Sequence, residues 1–212
     1  MTDEKQSKLE ILIVEDREEN MAAAKKYFGK LENVSADYAK DYTEAIANLE
    51  SKKYGAVISD IFFPEKTGTE ERQLGKKFIY VLAKEYLATE NKPAAEALAR
   101  FEKHVGIDKF PEFISSGDKY GTDYGTLTEM YKNLEKDASN QPLGFLVAEK
   151  AKEKGIPVIL ATSLDHHHAS AKPALGYAGD RDISVCEDAY PDKKNSEAFW
   201  EYAFKIMKEK AK

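Results

Sequence analysis

Two short apolar runs, each closing on an acidic residue, constrain this chain more than anything else in it. Ile11-Leu12-Ile13-Val14 leads straight into Glu15 and Asp16, and Tyr54-Gly55-Ala56-Val57-Ile58-Ser59 leads into Asp60. An unbroken apolar run of this length, rich in β-branched residues, reads as a strand buried on both faces, as in a parallel sheet covered by helices. After the first run, Met21, Ala24, Tyr27, Phe28 and Leu31 recur at helical spacing. Val34 to Tyr38 supplies a second strand, and Tyr42, Ala45, Ile46 and Leu49 mark a second amphipathic helix. This alternation predicts βαβ units.

The alternation stops between residues 69 and 141, where no buried-strand run appears. Helical patterns replace it: Leu74, Phe78, Val81 and Leu82, then Ala94, Leu98, Phe101 and Val105, then Leu127, Tyr131 and Leu134. The segment is rich in aromatic residues, which predicts a packed helical insertion rather than a disordered linker. The alternation resumes with a helix from Leu143, closed by Lys154-Gly155. A strand follows at Pro157 to Thr162, then a weaker one at Ile183 to Cys186, and a last helix at Ser196 to Met207. Residues 1–68 and 142–212 therefore make an α/β domain interrupted by the insertion at 69–141. Five strands with following helices are the complement of a flavodoxin-like fold, a parallel sheet with helices on both faces.

The remaining composition excludes several classes. The 212 residues carry a net charge of −6, which disfavours direct binding of nucleic acid through a basic surface. One cysteine, Cys186, excludes an intramolecular disulfide and fits a reducing compartment. No apolar run approaches the about 18–20 residues that span a bilayer, and the N-terminus lacks the order of a signal peptide. A cytoplasmic location with no membrane partner is the expectation.

In doubly wound sheets, ligands bind beyond the carboxyl ends of the strands, near the reversal of strand order. That places Glu15, Asp16, Asp60 and Thr162 at one end of the sheet. Carboxylates gathered there repel one another and favour a shared proton or a bound cation. Oxygen ligands favour a hard ion such as Mg²⁺.

Three segments resemble the receiver domain of two-component response regulators. ILIVEDREEN at 11–20 is similar to the family's first strand and acidic pair. DIFFPEKTG at 60–68 is similar to its phosphoacceptor loop, with Pro64 and Gly68 at the family's spacing, and PVILATS at 157–163 to its fourth strand and Thr/Ser switch residue. With their helices these segments cover about two-thirds of the chain, leaving the insertion outside. The resemblance implies that Asp60 is a phosphoacceptor, and that Asp16, Asp60 and the backbone carbonyl of Phe62 hold Mg²⁺, with Glu15 acting through water. It implies that Thr162 hydrogen-bonds the phosphoryl group and shifts upon phosphorylation. Its implied partners are a histidine kinase or phosphotransfer protein as donor, and a downstream protein. That protein would be met through the insertion or the face built by the family's fourth helix, fifth strand and fifth helix.

The chain departs from the family in three ways. Aligning Ala178-Gly179 with the family's Ala-Gly turn puts Cys186 where the family has a lysine that pairs with the aspartyl phosphate, and Ile183 where it has an aromatic switch residue. Loss of that cation removes a charge-assisted contact worth about 1.5–3 kcal/mol. Lys193 and Lys194, which follow, are the candidates to reach back into the site in its place, although nothing in the sequence shows that either does. Cys186 reads as a core residue or, alternatively, a reactive thiol. The second departure is the insertion, entering just after the phosphoacceptor loop as a cap or a peripheral decoration. The third is Asp165-His166-His167-His168, read as a polar loop or as ligands for a transition metal. The Asp-x-Asp pattern of the Asp-His-His phosphoesterases and haloacid dehalogenase-type phosphatases is absent, because Phe62 stands at the second position. Three readings follow: a phosphorylated receiver-like signalling domain rather than a turnover enzyme, a pseudo-receiver interaction module that is not phosphorylated, and a metal-dependent phosphohydrolase. The chain ends about where the family's last helix does, so any output is expected through protein contacts.

Overall fold

Ile11 to Val14, Ala56 to Ser59 and Ile159 to Ala161 have no exposed surface, as strands covered on both faces must. These runs lie in a computed structural model that describes residues 8–63, 69–90, 92–105, 141–163, 171–187 and 193–210. In chain order the elements are β1 (Leu9–Val14), α1 (Glu18–Phe28), β2 (Val34–Ala39), α2 (Tyr42–Ser51), β3 (Ala56–Ser59), α3 (Thr69–Glu90) and α4 (Lys92–Val105). They continue with α5 (Gly144–Glu153), β4 (Val158–Thr162), α6 (Ala171–Asp180), β5 (Ser184–Glu187) and α7 (Glu197–Lys210). The expected helix through Leu127, Tyr131 and Leu134 and the run Asp165-His166-His167-His168 lie outside the described residues. No helix among the described residues is long and apolar enough to cross a membrane.

The strands form one sheet, ordered β2-β1-β3-β4-β5, with every pair parallel. This is the flavodoxin-like arrangement, shared by receiver domains, in which the chain runs outward from β1 on one side and from β3 on the other. Alternation along the strands separates two cores. Ile11, Ile13, Ala56, Ile58, Ile159, Ala161 and Cys186 pack with Ala24 and Phe28 of α1 and with Phe199, Trp200, Ala203, Phe204 and Met207 of α7. The intervening residues face the opposite side, where α2 and α5 meet each other and the sheet.

The elements divide into two compact units. One holds all five strands with α1, α2, α5 and α7, and the other holds α3, α4 and α6. Within the second, Phe78 of α3 meets Tyr177 of α6 edge to face at 4.9 Å. Arg181 donates to both carboxylate oxygens of Glu85, at 2.9 and 2.8 Å, and its guanidinium lies 3.5 Å from the centre of the Tyr177 ring. α6 escapes the sequence pattern because Pro173, Gly176 and Gly179 weaken its helical signal, although proline in a first turn removes no helical hydrogen bond.

Two glycines are required by geometry. Gly155 ends α5 with φ of 68°, a conformation that glycine adopts without strain. Its N–H reaches the Lys152 carbonyl at 2.9 Å, and that of Ile156 reaches Ala151 at 2.9 Å, closing the helix. Gly144, the first residue of α5, lies directly against the backbone that follows β3. Its N–H donates to the Ile61 carbonyl at 3.0 Å. A Cβ at this position would overlap the Asp60 carbonyl oxygen and stand 2.8 Å from Ile61 Cα. Gly144→Ala is therefore expected to cost about 1–3 kcal/mol through overpacking, read as a lower urea midpoint with unchanged m-value. The exposed Gly176→Ala, where a Cβ meets nothing, should not be destabilising.

Candidate functional site

The reversal of strand order falls between β1 and β3, and the residues that follow these two strands are acidic. Val14 pairs with Ser59 in the last register position, so Glu15 and Asp60 leave the sheet side by side. The Asp60 N–H still reaches back to the Val14 carbonyl at 2.8 Å, while the Glu15 N–H turns the other way, to Ala39 of β2 at 3.0 Å. Glu15, Asp16 and Asp60 each offer a carboxylate oxygen, and these atoms lie within 4.8 Å of one another. Glu15 and Asp60 are buried and Asp16 is half-buried.

A lysine answers this concentration of negative charge. The Lys194 ammonium lies 2.6 Å from Glu15 Oε2 and 2.8 Å from Asp60 Oδ2, and the side chains of Lys194 and Glu15 are 1% and 0% exposed. It arrives from the turn preceding α7. Lys194 lies eight residues beyond Cys186 of β5. Cys186 pairs with Ala161 and is buried in the core. Lys193 is exposed.

The other carboxylate oxygens are also engaged. Glu15 Oε1 accepts from Asn20 Nδ2 at 3.0 Å and from the Arg17 backbone N–H at 3.1 Å. Asp60 Oδ1 accepts from the Ile61 N–H at 2.7 Å. Asn20 is a further site residue, in the first turn of α1. Its signal in the sequence is a polar residue inside the acidic motif at a position that α1 turns inward.

Charge and burial set the protonation of the cluster. Burial pushes Glu15 up to about 7, Lys194 opposes that rise, and the negative charge of Asp60 adds to it. Asp16 is also raised, first by burial and then by Asp60. For Lys194 burial works against the charged form, but Asp60 and Glu15 outweigh it and its pKa lies above the ordinary lysine value. With all groups ionised, three carboxylates face one ammonium, and the remaining double negative charge with oxygen donors is the chemistry of a site that could hold a divalent metal ion.

Phe62 follows two residues after Asp60 and is half-buried. Thr162 ends β4, buried and in register with Glu187, at the same end of the sheet as the acidic residues. His166, His167 and His168 lie outside the described residues.

No protein-family model and no curated protein matches the sequence. Among solved structures, the chain is similar to the signal receiver domain of an HD domain-containing protein from Pseudomonas fluorescens Pf-5, with a TM-score of 0.41 and 13% identity. That similarity covers 95% of this chain and 98% of the other.

The raised Glu15 gives stability a definite pH dependence. Its carboxyl holds a proton more tightly in the folded chain than at its ordinary value of 4.5. This contribution to stability is complete below pH 4.5 and is lost as pH rises through about 7. Glu15→Gln, which carries no titrating proton, should flatten that decline in chemical-denaturation curves collected from pH 4.5 to 8. Lys194→Met leaves two buried carboxylates facing each other, and its cost is expected to reach about 3–5 kcal/mol at pH 8. At pH 5, where Glu15 keeps its proton, the cost should be smaller. Equal costs at the two pH values would show that the lysine does not offset this pair.

Proposed function

We propose that this chain is a receiver-like signalling domain in which Asp60 accepts a phosphoryl group and the result is passed on through protein contacts. The observation that carries this reading is the buried Lys194 ammonium, 2.8 Å from Asp60 Oδ2. A receiver requires a fixed cation beside its phosphoacceptor, and the sequence leaves the family's position for that cation to Cys186. Lys194 supplies the charge from a different place in the chain.

The roles are those the resemblance implies, and the contacts of Asp60 with Lys194 and the Ile61 N–H support them. Asp60, held by the Ile61 N–H and Lys194, is the nucleophile. A carboxylate oxygen forms the new bond to phosphorus while the bond to the donor, a phosphohistidine nitrogen or a small phosphodonor, breaks and its electron pair leaves with the donor. Lys194 attracts the phosphoryl oxygens as charge gathers on them. Asp16 and Asp60, with the Phe62 carbonyl, are the residues that would hold Mg²⁺. Glu15, whose oxygens already serve Lys194, Asn20 and Arg17, suits a role through water. Mg²⁺, when bound, offsets the carboxylate repulsion and the charge of the transferred group. Thr162 would hydrogen-bond the phosphoryl oxygens. The implied donor is a histidine kinase or phosphotransfer protein, and the implied output is a downstream protein.

An amide NMR titration with Mg²⁺ and then beryllofluoride, an aspartyl-phosphate mimic, tests the reading. Shifts centred on Asp16, Asp60 and Thr162 are expected in both steps, with the beryllofluoride response abolished in Asp60→Ala. Mg²⁺ binding with no response to beryllofluoride would replace this reading with a non-phosphorylated interaction module. Continuous phosphate release from simple phosphate esters would replace it with a phosphohydrolase.

A further inference from the structure

Lys194 can serve Asp60 only if the turn that carries it is held in place. The described part of that turn is short: Lys193 to Ser196, leading directly into α7. The Ser196 N–H closes on the Lys193 carbonyl at 2.8 Å, and Ser196 Oγ accepts from the Phe199 N–H at 3.3 Å. Neither contact touches Lys194. Among the described residues, a contact that does comes from inside the core: Trp200 Nε1 donates to the Lys194 carbonyl oxygen at 2.8 Å, and both residues are buried. The indole is itself wedged edge-on against Phe28 at 6.4 Å and Phe199 at 5.5 Å. Glu197 at the start of α7 is gripped by Lys26, at 2.6 Å, and by Lys30, but these lysines are 69% and 61% exposed and such pairs hold little.

We propose that Trp200 is a positioning residue for the candidate phosphoacceptor site, and that its indole N–H fixes the Lys194 backbone so that the ammonium reaches Asp60 and Glu15. A buried carbonyl left without a donor would turn toward another partner, and a turn rotated about that carbonyl would carry the lysine side chain away from the carboxylates. The relocated lysine therefore comes with a relocated support, supplied by α7 rather than by a strand. The contact is independent of what Asp60 does; its consequence for phosphoryl chemistry rests on the reading given above.

The test uses the reactivity of one amine. The full chain is treated with a succinimidyl acetate, and acetylation of Lys193 and Lys194 is mapped by mass spectrometry. In the unaltered protein Lys193 should react and Lys194 should be protected. Trp200→Phe, and replacement of Trp200 by benzothienylalanine, which keeps the bicyclic shape and removes only the N–H, should each raise Lys194 acetylation about tenfold. Phe204→Leu loosens the same aromatic core without touching the hydrogen bond and should leave Lys194 protected. The benzothienylalanine form keeps the result readable if Trp200→Phe does not fold. Continued protection of Lys194 in the benzothienylalanine protein would overturn the proposal, as would equal exposure in Phe204→Leu. Beryllofluoride affinity should fall in parallel with Lys194 exposure while Mg²⁺ affinity does not. Should the unaltered protein take up no beryllofluoride while the acetylation pattern holds, the phosphoacceptor reading fails and the positioning role of Trp200 stands.

Discussion

The ammonium of Lys194, shut away from water between Glu15 and Asp60, is the interaction on which the rest of the sheet end depends. A buried charge of either sign costs several kcal/mol to desolvate, so neither the lysine nor the carboxylates could remain there alone. Together they tie three distant pieces of chain to one point: the end of β1, the end of β3 and the turn into α7. The pairing also divides labour among the acidic residues. Glu15 has both oxygens committed and carries the strongest push toward its protonated form, whereas Asp16 is the most open of the three. Asp60 stands between them, with one oxygen on the lysine and the other on its neighbour's N–H.

The backbone around this point is equally constrained. The Asp60–Ile61 segment is backed by the first residue of α5, where only glycine leaves room for the Asp60 carbonyl. A helix on one face of the sheet and an indole from the other face thus support the two partners of one ion pair. Trp200 reaches the lysine through its carbonyl, and Gly144 reaches the aspartate through its backbone. The site is assembled from both cores of the α/β unit, so its geometry follows from the packing of the whole unit.

Much of this is legible in the amino-acid sequence. Ile11–Val14, Ala56–Ser59 and Val158–Thr162 announce themselves because strands buried on both faces must be apolar without alternation. The acidic residues that close the first two of these runs were visible for the same reason: a charge at the edge of such a run can lie only where the strand leaves the core. Other features were not legible. α6 contains a proline and two glycines, so its local preference is weak and its contacts with α3 had to supply what propensity did not. Lys194 was a candidate to reach the site only alongside Lys193, because a lysine in a loop by itself signals a solvated surface and nothing local separates the two. Asn20 reads as one more polar residue on a helix until the rotation of α1 turns it toward Glu15.

Local pattern in the chain suffices for the alternation of strand and helix, the burial of the central strands and the acidic character of one sheet end. Each is written in local patterns of hydrophobicity that any chain must satisfy to keep its backbone paired and its side chains dry. Which cation answers those carboxylates is settled by long-range packing instead. The pairing spans residues 15, 60 and 194, and no spacing rule connects positions so far apart. It exists because the parallel sheet sets β1 beside β3 and because α7, packed on α1, brings its preceding turn to the same edge. A long flexible side chain then does what a residue at the end of β5 does not. Cys186, at that strand position, is left to the core.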